Sequence, residues 1–355
     1  MTNAPIIFEN PLRYLHDFLN RRDYSKIFVL VDENTSQHCL PLLLEHLPDF
    51  SLQRIEILAG EEFKTIETVC RVWDFLSKSK ADRNALLINL GGGMVTDLGG
   101  FVASTFKRGI DFINIPTTLL AMVDASAGGK NGVDFDGLKN QVGTFTQPEM
   151  VLIEPSFLFT LDQRQLLSGL AEMLKHGLIA DAHHWNNLIR LEVYNAETLK
   201  KHIRDSVEIK LKIVEEDPHE KGLRKILNFG HTVGHAIESE FLQSSNALLH
   251  GEAIVIGMMI EAVMSCQQNL ISDEELKLIL DGFAKIYSHQ TVLREEDIPK
   301  FLRWMQHDKK NRLHELRFSL LQKIGEACFD VKADENMLRK AITAYNAYVA
   351  PNHLH

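Results

Sequence analysis

The chain has 355 residues, 45% hydrophobic and 24% charged, which excludes a disordered polypeptide and a disulfide-stapled miniprotein; at roughly 150 residues per domain it predicts two lobes. Its net charge of −10 favours solubility and gives no overall reason to approach nucleic acid or an anionic membrane, though it is silent about a locally basic pocket. Met1 to Tyr14 carries Glu9 and two prolines where a signal peptide needs a basic segment and then an apolar one. No window approaches about 20 uninterrupted apolar residues. Cys39, Cys70, Cys266 and Cys328 lie far apart without C-x-x-C pairing, so neither a zinc ribbon nor a disulfide framework is expected and a reducing cytoplasm is the expected location.

Up to Pro155 short β-rich runs alternate with helical stretches. Lys26–Val31, Leu52–Leu58, Ala85–Leu90, Phe112–Ile115 and Met150–Ile153 read as strands, with a helix over Thr65–Ser79. Near-continuous apolar strands alternating with helices predict an α/β layer with a mostly parallel sheet over residues 1–155. Beyond Pro155 the period changes to that of amphipathic helices, over Gln165–Ile179, Leu199–Val214, Ala253–Gln268 and Glu274–Ile286. The lobe 156–355 is thus expected to be all-helical, with a hinge near Pro148–Pro155 and a cleft between the lobes as the default site.

Gly91-Gly92-Gly93-Met94-Val95-Thr96-Asp97 follows a predicted strand and opens a helix. Three glycines let backbone N–H groups approach a phosphate at a helix N-terminus, but the spacing is not G-x-G-x-x-G, and a simple strand-to-helix turn remains the alternative. Asp32 and Asn34 follow the first strand, and Glu61 and Lys64 the second; carboxylates there suit ribose hydroxyls and Lys64 a pyrophosphate, with solvated loops as the alternative. Pro116 to Asp134, followed by Lys139-Asn140, concentrates glycines and small residues around Asp124 and Lys130. That composition suits a backbone held close to a polyhydroxylated anion, or else a flexible hairpin.

His231 and His235 stand four apart on one helical face, a spacing that metal sites use and that also arises by coincidence, with His250 and Glu172 as candidate further ligands. A Glu with two histidines and an open position is a catalytic zinc pattern, and Thr232, in place of the glutamate of H-E-x-x-H, disfavours peptide hydrolysis. His176 is a competing ligand or a packing residue. His183-His184 are expected in a solvated turn, as are His353 and His355 in the tail. Lys210 flanks the packed stripe, so it needs an anion, whereas Lys107-Arg108 and Asp308–Asn311 read more simply as surface.

Taken together, GGGMVTDLGGFVAS, KRGIDFINIPTTLLAMVDASAGGK, LKNQVGTFTQP, AEMLKHG, GLRKILNFGHTVGHAIE and LHGEAIVIGM resemble the 3-dehydroquinate synthase family in order and spacing, over residues 26–320. The resemblance implies an NAD-binding Rossmann-like α/β lobe and a helical metal- and substrate-binding lobe, a cytoplasmic homodimer, and conversion of 3-deoxy-D-arabino-heptulosonate 7-phosphate to 3-dehydroquinate and phosphate. Glu172, His231 and His250 match the family's ligands for zinc or cobalt, and His235 an adjacent catalytic histidine. Asp124, Lys130, Asn140, Lys175, Lys210, Arg224 and Asn228 match substrate-holding positions, with Lys130, Lys175 and Asn228 also counted as catalytic. Arg108 matches a phosphate ligand reaching across from the partner subunit, and Lys309 or Lys310 another. Asp32, Asn34, Glu61, Lys64, Gly91, Gly92, Gly93, Asp97, Thr117, Thr118 and Lys139 match the NAD site. Thr96 replaces a usual glycine and Asn131 a usual threonine, which puts phosphate-loop geometry and one cofactor-loop contact in question. Other sugar phosphate cyclases, such as amino-dehydroquinate or 2-deoxy-scyllo-inosose synthase, and NAD-dependent polyol dehydrogenases share much of this pattern; Lys210 and Arg224, at carboxylate-binding positions, favour dehydroquinate synthase.

Overall fold

The apolar runs at the centre of the first lobe form one parallel sheet because they can be covered on both faces. The strands are β1 (Ile6–Ile7), β2 (Lys26–Asp32), β3 (Leu52–Ile57), β4 (Ala85–Gly91) and β5 (Asp111–Pro116), then a hairpin of β6 (Lys130–Phe135) and β7 (Leu138–Phe145), and last β8 (Met150–Leu152). The sheet order is β1-β8-β5-β4-β2-β3. All seven residues of β4 are buried, as are the five central residues of β2. The computed structural model describes residues 4–125, 128–136, 138–241, 247–287, 291–307 and 316–350 and divides into two units, Met1–Asp162 and Gln163–His355. The division lies beyond Pro155 because the turn Pro155–Thr160 buries Phe157 and Leu158, and its Thr160 Oγ1 lies 3.9 Å from Cys39 Sγ.

In the first unit, helices Ile66–Lys78 and Gly93–Thr105 bury Val69, Val72, Leu76, Leu98 and Val102 in a core with Phe28 and Leu87 of the sheet. Thr65 caps the former by accepting the Thr68 amide at 3.4 Å. Chain order reverses about β2 and β4: β3 lies on one side of β2, β4 on the other, and β5 beyond β4. Outside the carboxyl ends of strands at such a reversal is where open α/β sheets bind ligands. Register pairs Leu30 with Asn89, so Asp32 and Gly91 leave the sheet at the same level.

The second unit is built from nine α-helices among the described residues, including Gln163–Ala180, Ala182–Ile189, Ile203–Glu216, His231–Phe241, His250–Gln267 and Asp273–Ile286. It is not all-helical: β9 (Leu316–Lys323) and β10 (Glu326–Ala333) form an antiparallel hairpin. Leu316, Phe318, Leu320 and Leu321 are buried, and the Leu321 amide donates to Ser265 Oγ of helix His250–Gln267 at 3.0 Å. The stripe from Leu199 to Val214 is broken as well, into a short helix Ala196–Leu199, a tight turn Lys200–His202 and helix Ile203–Glu216. No helix among the described residues is long and apolar enough to cross a membrane.

Candidate functional site

In the first unit the Gly91–Gly93 turn ends β4 and starts helix Gly93–Thr105. A Cβ at Gly91 would sit 2.5 Å from Val95 Cβ, and one at Gly92 3.1 Å from Thr118 Cγ2. The turn is therefore as tight as glycine allows, and the amides of the first helical turn stay accessible to an anion. Thr96 does not intrude: it is buried, and its hydroxyl donates back to Gly92 O and Gly93 O at 3.3 and 3.2 Å. Asn131 is buried too, its amide donating to Gly129 O and Thr146 O at 3.2 and 2.8 Å, and Gly100 makes the room it occupies.

Lys64, 3% exposed, donates to Asp97 Oδ2 at 2.7 Å and Asn140 Oδ1 at 2.8 Å, with Glu61 Oε1 at 3.6 Å. Burial opposes its charge, but Asp97 and Glu61 outweigh burial and hold its pKa above the usual lysine value. Burial pushes the Asp97 carboxyl up, with Lys64 pulling against it. Expected nucleotide residues (Lys64, Asp97, Glu61) thus meet an expected substrate residue, Asn140, whose left-handed backbone (φ 50°) lets its amide donate to Asp134 Oδ1 at 2.7 Å. Asp32 caps the helix that follows it, accepting the Thr35 amide at 2.8 Å while its own amide donates to Thr35 Oγ1. Asn34 is exposed beside it and Thr117 is buried. Thr118 accepts the Ala121 amide at 3.2 Å, and Asp124 lies half-buried in the wide turn Ala121–Ala125. Lys130 is exposed at the start of β6 and Lys139 half-buried in β7. Arg108 is exposed on a tight turn where it and Lys107 both have positive φ, 70° and 50°.

In the second unit, helix Gln163–Ala180 carries Glu172, fully buried, with Lys175 one turn on and paired to its Oε2. His231 starts one helix and His250 another, and the Nε2 of each lies 3.5 Å from Glu172 Oε1. A tetrahedral ion with ligands at about 2.0–2.2 Å separates its donors by about 3.3–3.6 Å, the spacing of Glu172 Oε1 from each imidazole, and all three ligand atoms lie within 4.8 Å of one another. Beyond the ionic contacts, neither Glu172 oxygen is satisfied by a hydrogen bond among the described residues. The donor set fits a divalent metal. His231 Nδ1 faces Phe229 O at 3.2 Å and His250 Nδ1 faces Glu238 Oε2 at 3.4 Å; both leave Nε2 for a metal, as outer partners of ligating histidines do. The His235 ring stands 5.0 Å from that of His231 and 5.8 Å from that of His250.

The charges are uneven. Burial would raise the Glu172 pKa, but Lys175 and the imidazoles outweigh it and hold the carboxylate well below its usual value. Burial, with Lys175 adding to it, pushes His231 well down. Burial acts the same way on His250, but the Glu172 and Glu238 carboxylates beside it prevail and raise it to about 10. The two rings share one oxygen and differ because only His250 has a second carboxylate.

Neither Glu238 nor Glu261 was found from the sequence as part of the site. Glu261, fully buried on helix His250–Gln267, accepts the Gly230 amide at 2.6 Å and the Val233 amide at 3.3 Å. It thereby serves the bare N-terminus of the helix that begins with His231. A charged residue inside an otherwise apolar helix was the available signal. Arg224, buried, and Asn228 lie on the tight turn leading into this helix; Arg224 Nη1 donates to Pro218 O at 2.9 Å and Asn228 Nδ2 to Glu220 Oε1 at 2.9 Å. Lys210 is 6% exposed, consistent with its place beside the packed stripe. His176 is buried, with Nδ1 2.7 Å from Ser206 Oγ. His183-His184 open helix Ala182–Ile189, and although His183 is exposed, His184 is buried, correcting the expected solvated turn: Asp181 caps the helix through both amides. Lys309, Lys310, His353 and His355 lie outside the described residues.

Residues 54–168 match the family model for the 3-dehydroquinate synthase N-terminal region and residues 169–311 that for its C-terminal region. The chain is 42% identical over 331 residues to the 3-dehydroquinate synthase of Parabacteroides distasonis, covering 92% of either protein. This chain belongs to the 3-dehydroquinate synthase family. Among solved structures, the 2-epi-5-epi-valiolone synthase ValA of Streptomyces hygroscopicus, with NAD+ and Zn2+ bound, is similar with a TM-score of 0.84 at 28% identity, covering 98% of each chain. A 2-deoxy-scyllo-inosose synthase complexed with carbaglucose-6-phosphate, NAD+ and Co2+ shares the fold, with a TM-score of 0.83 at 24% identity over 96% of this chain and 99% of that one. The dehydroquinate synthase fold expected from the motifs is the fold found.

Proposed function

We propose that this chain, as a 3-dehydroquinate synthase, converts 3-deoxy-D-arabino-heptulosonate 7-phosphate to 3-dehydroquinate and phosphate, with NAD as a recycled cofactor and zinc or cobalt as its metal. The observation that carries this reading is the buried Glu172 carboxylate with two imidazoles at 3.5 Å, in a chain 42% identical to a 3-dehydroquinate synthase. When bound, NAD would accept and return hydride at C5 of the substrate, and a metal held by Glu172, His231 and His250 would supply Lewis acidity at the adjoining hydroxyls. Asp32, Asn34, Glu61, Lys64, the Gly91–Gly93 turn, Asp97, Thr117, Thr118 and Lys139 form the nucleotide site of this proposal.

The remaining work falls to side chains. Lys175 stabilises the Glu172 carboxylate and donates to substrate oxygen. His235 takes and returns the proton of the C5 hydroxyl. Lys210 and Arg224 hold the substrate carboxylate, while Asp124, Lys130, Asn140 and Asn228 orient the hydroxyls. In a homodimer, Arg108 of the partner subunit and either Lys309 or Lys310 hold the phosphate. With C5 a ketone, the C6 hydrogen is acidic, so phosphate leaves by elimination and carries that proton away. Ring opening and an intramolecular aldol step then close the carbocycle.

The test is phosphate release from the heptulosonate phosphate by the purified chain with catalytic NAD and zinc, with and without a chelator. Release abolished by chelation and restored by zinc is expected. Net NADH accumulation with polyols and no phosphate release would identify a polyol dehydrogenase instead.

A further inference from the structure

A set of side chains of metal-ligating type shares no residue with Glu172, His231 and His250. His184 on helix Ala182–Ile189, His202 at the end of the tight turn Lys200–His202, and Asp205 in the first turn of helix Ile203–Glu216 each place one ligand atom within 4.8 Å of the others. The His184 and His202 rings are 6.3 Å apart at 65°. His184 is 2% exposed, and neither of its ring nitrogens has a hydrogen-bond partner. A neutral imidazole always carries one N–H and one lone pair, so leaving both unmade in the interior carries the desolvation cost of each. Nothing in the proposed reaction uses His184.

We propose that His184, His202 and Asp205 form a second, structural site for a zinc-class divalent ion, tying helix Ala182–Ile189 to the start of helix Ile203–Glu216. Two imidazoles with one carboxylate suit zinc, cobalt or nickel and do not suit magnesium or calcium, which take oxygen ligands. His184 is the fixed point. His202 and Asp205, half-buried and exposed, are three residues apart on one turn and close on the ion by side-chain rotation, with water completing the shell. Burial lowers the His184 pKa to about 4, so near neutral pH no proton has to be displaced from that ring. The ion pins the break between turn Lys200–His202 and the helix that carries Lys210.

The experiment compares zinc bound per chain, by equilibrium dialysis of the full-length, chelator-stripped protein against zinc alone, for wild type and for His202→Ala/Asp205→Asn. Wild type should bind one more zinc than the variant, which should keep its phosphate-release activity within about twofold. The difference does not depend on whether the Glu172 site fills, so failure of this proposal is distinguishable from failure of the functional reading. His184→Phe, which keeps a ring in the buried space, should also lose that one zinc and unfold at a temperature at least equal to that of zinc-free wild type. Equal zinc counts in all three proteins would overturn the proposal. So would a drop caused by the double variant but not by His184→Phe.

Discussion

Zinc entering the Glu172 site of the stripped chain should release about one proton from His250. Glu172 and Glu238 raise the ring pKa to about 10. At about pH 7.5 only roughly one ring in 300 is then neutral and able to coordinate, against most rings at the unperturbed value near 6.5. The sign follows: a raised pKa keeps the competing proton on the ring below about 10. Zinc affinity should therefore climb about tenfold per pH unit through the neutral range and level off near 10. Glu238→Gln removes one of the two carboxylates while keeping the shape of the side chain. It should lower the ring pKa, reduce the protons released per zinc and move the plateau to lower pH. At the plateau it should still bind zinc about 10–100-fold more weakly, because an outer partner orienting a ligand is lost. Calorimetric titration in buffers of different ionisation enthalpy reads the proton count directly. An identical count and plateau in wild type and Glu238→Gln would refute the reasoning, since any proton lost by metal-bound water is common to both.

Gly230→Ala should destabilise the second unit by roughly 2–5 kcal/mol, from a left-handed residue (φ 80°) at about 1–2 and overpacking at about 1–3; its Cβ would lie 2.3 Å from Met258 Cγ. Urea denaturation measures this, and a loss below about 1 kcal/mol would show that the two helices part easily. Lys64→Met, which strands Asp97, should cost the first unit about 3 kcal/mol, and Lys64→Met/Asp97→Asn should recover part of it; no recovery in urea unfolding would mean that Asp97 is not the partner that matters. Lys210→Ala and Arg224→Ala should raise KM for the sugar acid phosphate by at least tenfold with little change in NAD affinity, whereas equal loss of both would point to misfolding.

What the sequence revealed follows from which physical signals are local. β2, β4, β5 and β8 were legible because a strand buried on both faces is a continuous apolar run, and the edge strand β3 because buried Ile55 and Ile57 alternate with exposed Arg54 and Glu56. The two-residue edge β1 is too short to leave a period, and no position of β10 is fully buried. The β6–β7 hairpin was visible as a glycine-rich segment with a hairpin as one reading and without defined strands, for its Phe135 and Phe145 are exposed. Glu172, His231 and His250 could be proposed from residue type and motif, but the i, i+4 pair His231 and His235 was only half of the answer: His250 joins Glu172 and His231 from another helix. Glu238 and Glu261 act across helices: nothing in the neighbourhood of Glu238 announces it, and Glu261 shows only as a charge in an apolar helix, without its partner. His184 misled for the converse reason: a histidine pair after an aspartate looks like a polar turn until the cap starts a helix and rotates one ring inward.

The helices that begin with His231 and His250 touch backbone to backbone. A Cβ on Gly257 would fall 2.0 Å from Gly230 O, and one on Gly234 3.0 Å from Ala253 O. With three glycines in the seam and only Met258 and Ile254 reaching into it, there is little to repack, so the distance between the two imidazoles is set mainly by main-chain contact. If Glu172, His231 and His250 hold the metal as proposed, ions of different radius would be accommodated by the longer arm of Glu172. Attempts to retune metal preference by substituting bulkier residues along this seam should yield unfolded protein before they yield altered selectivity, whereas changes around Glu172 leave the frame standing.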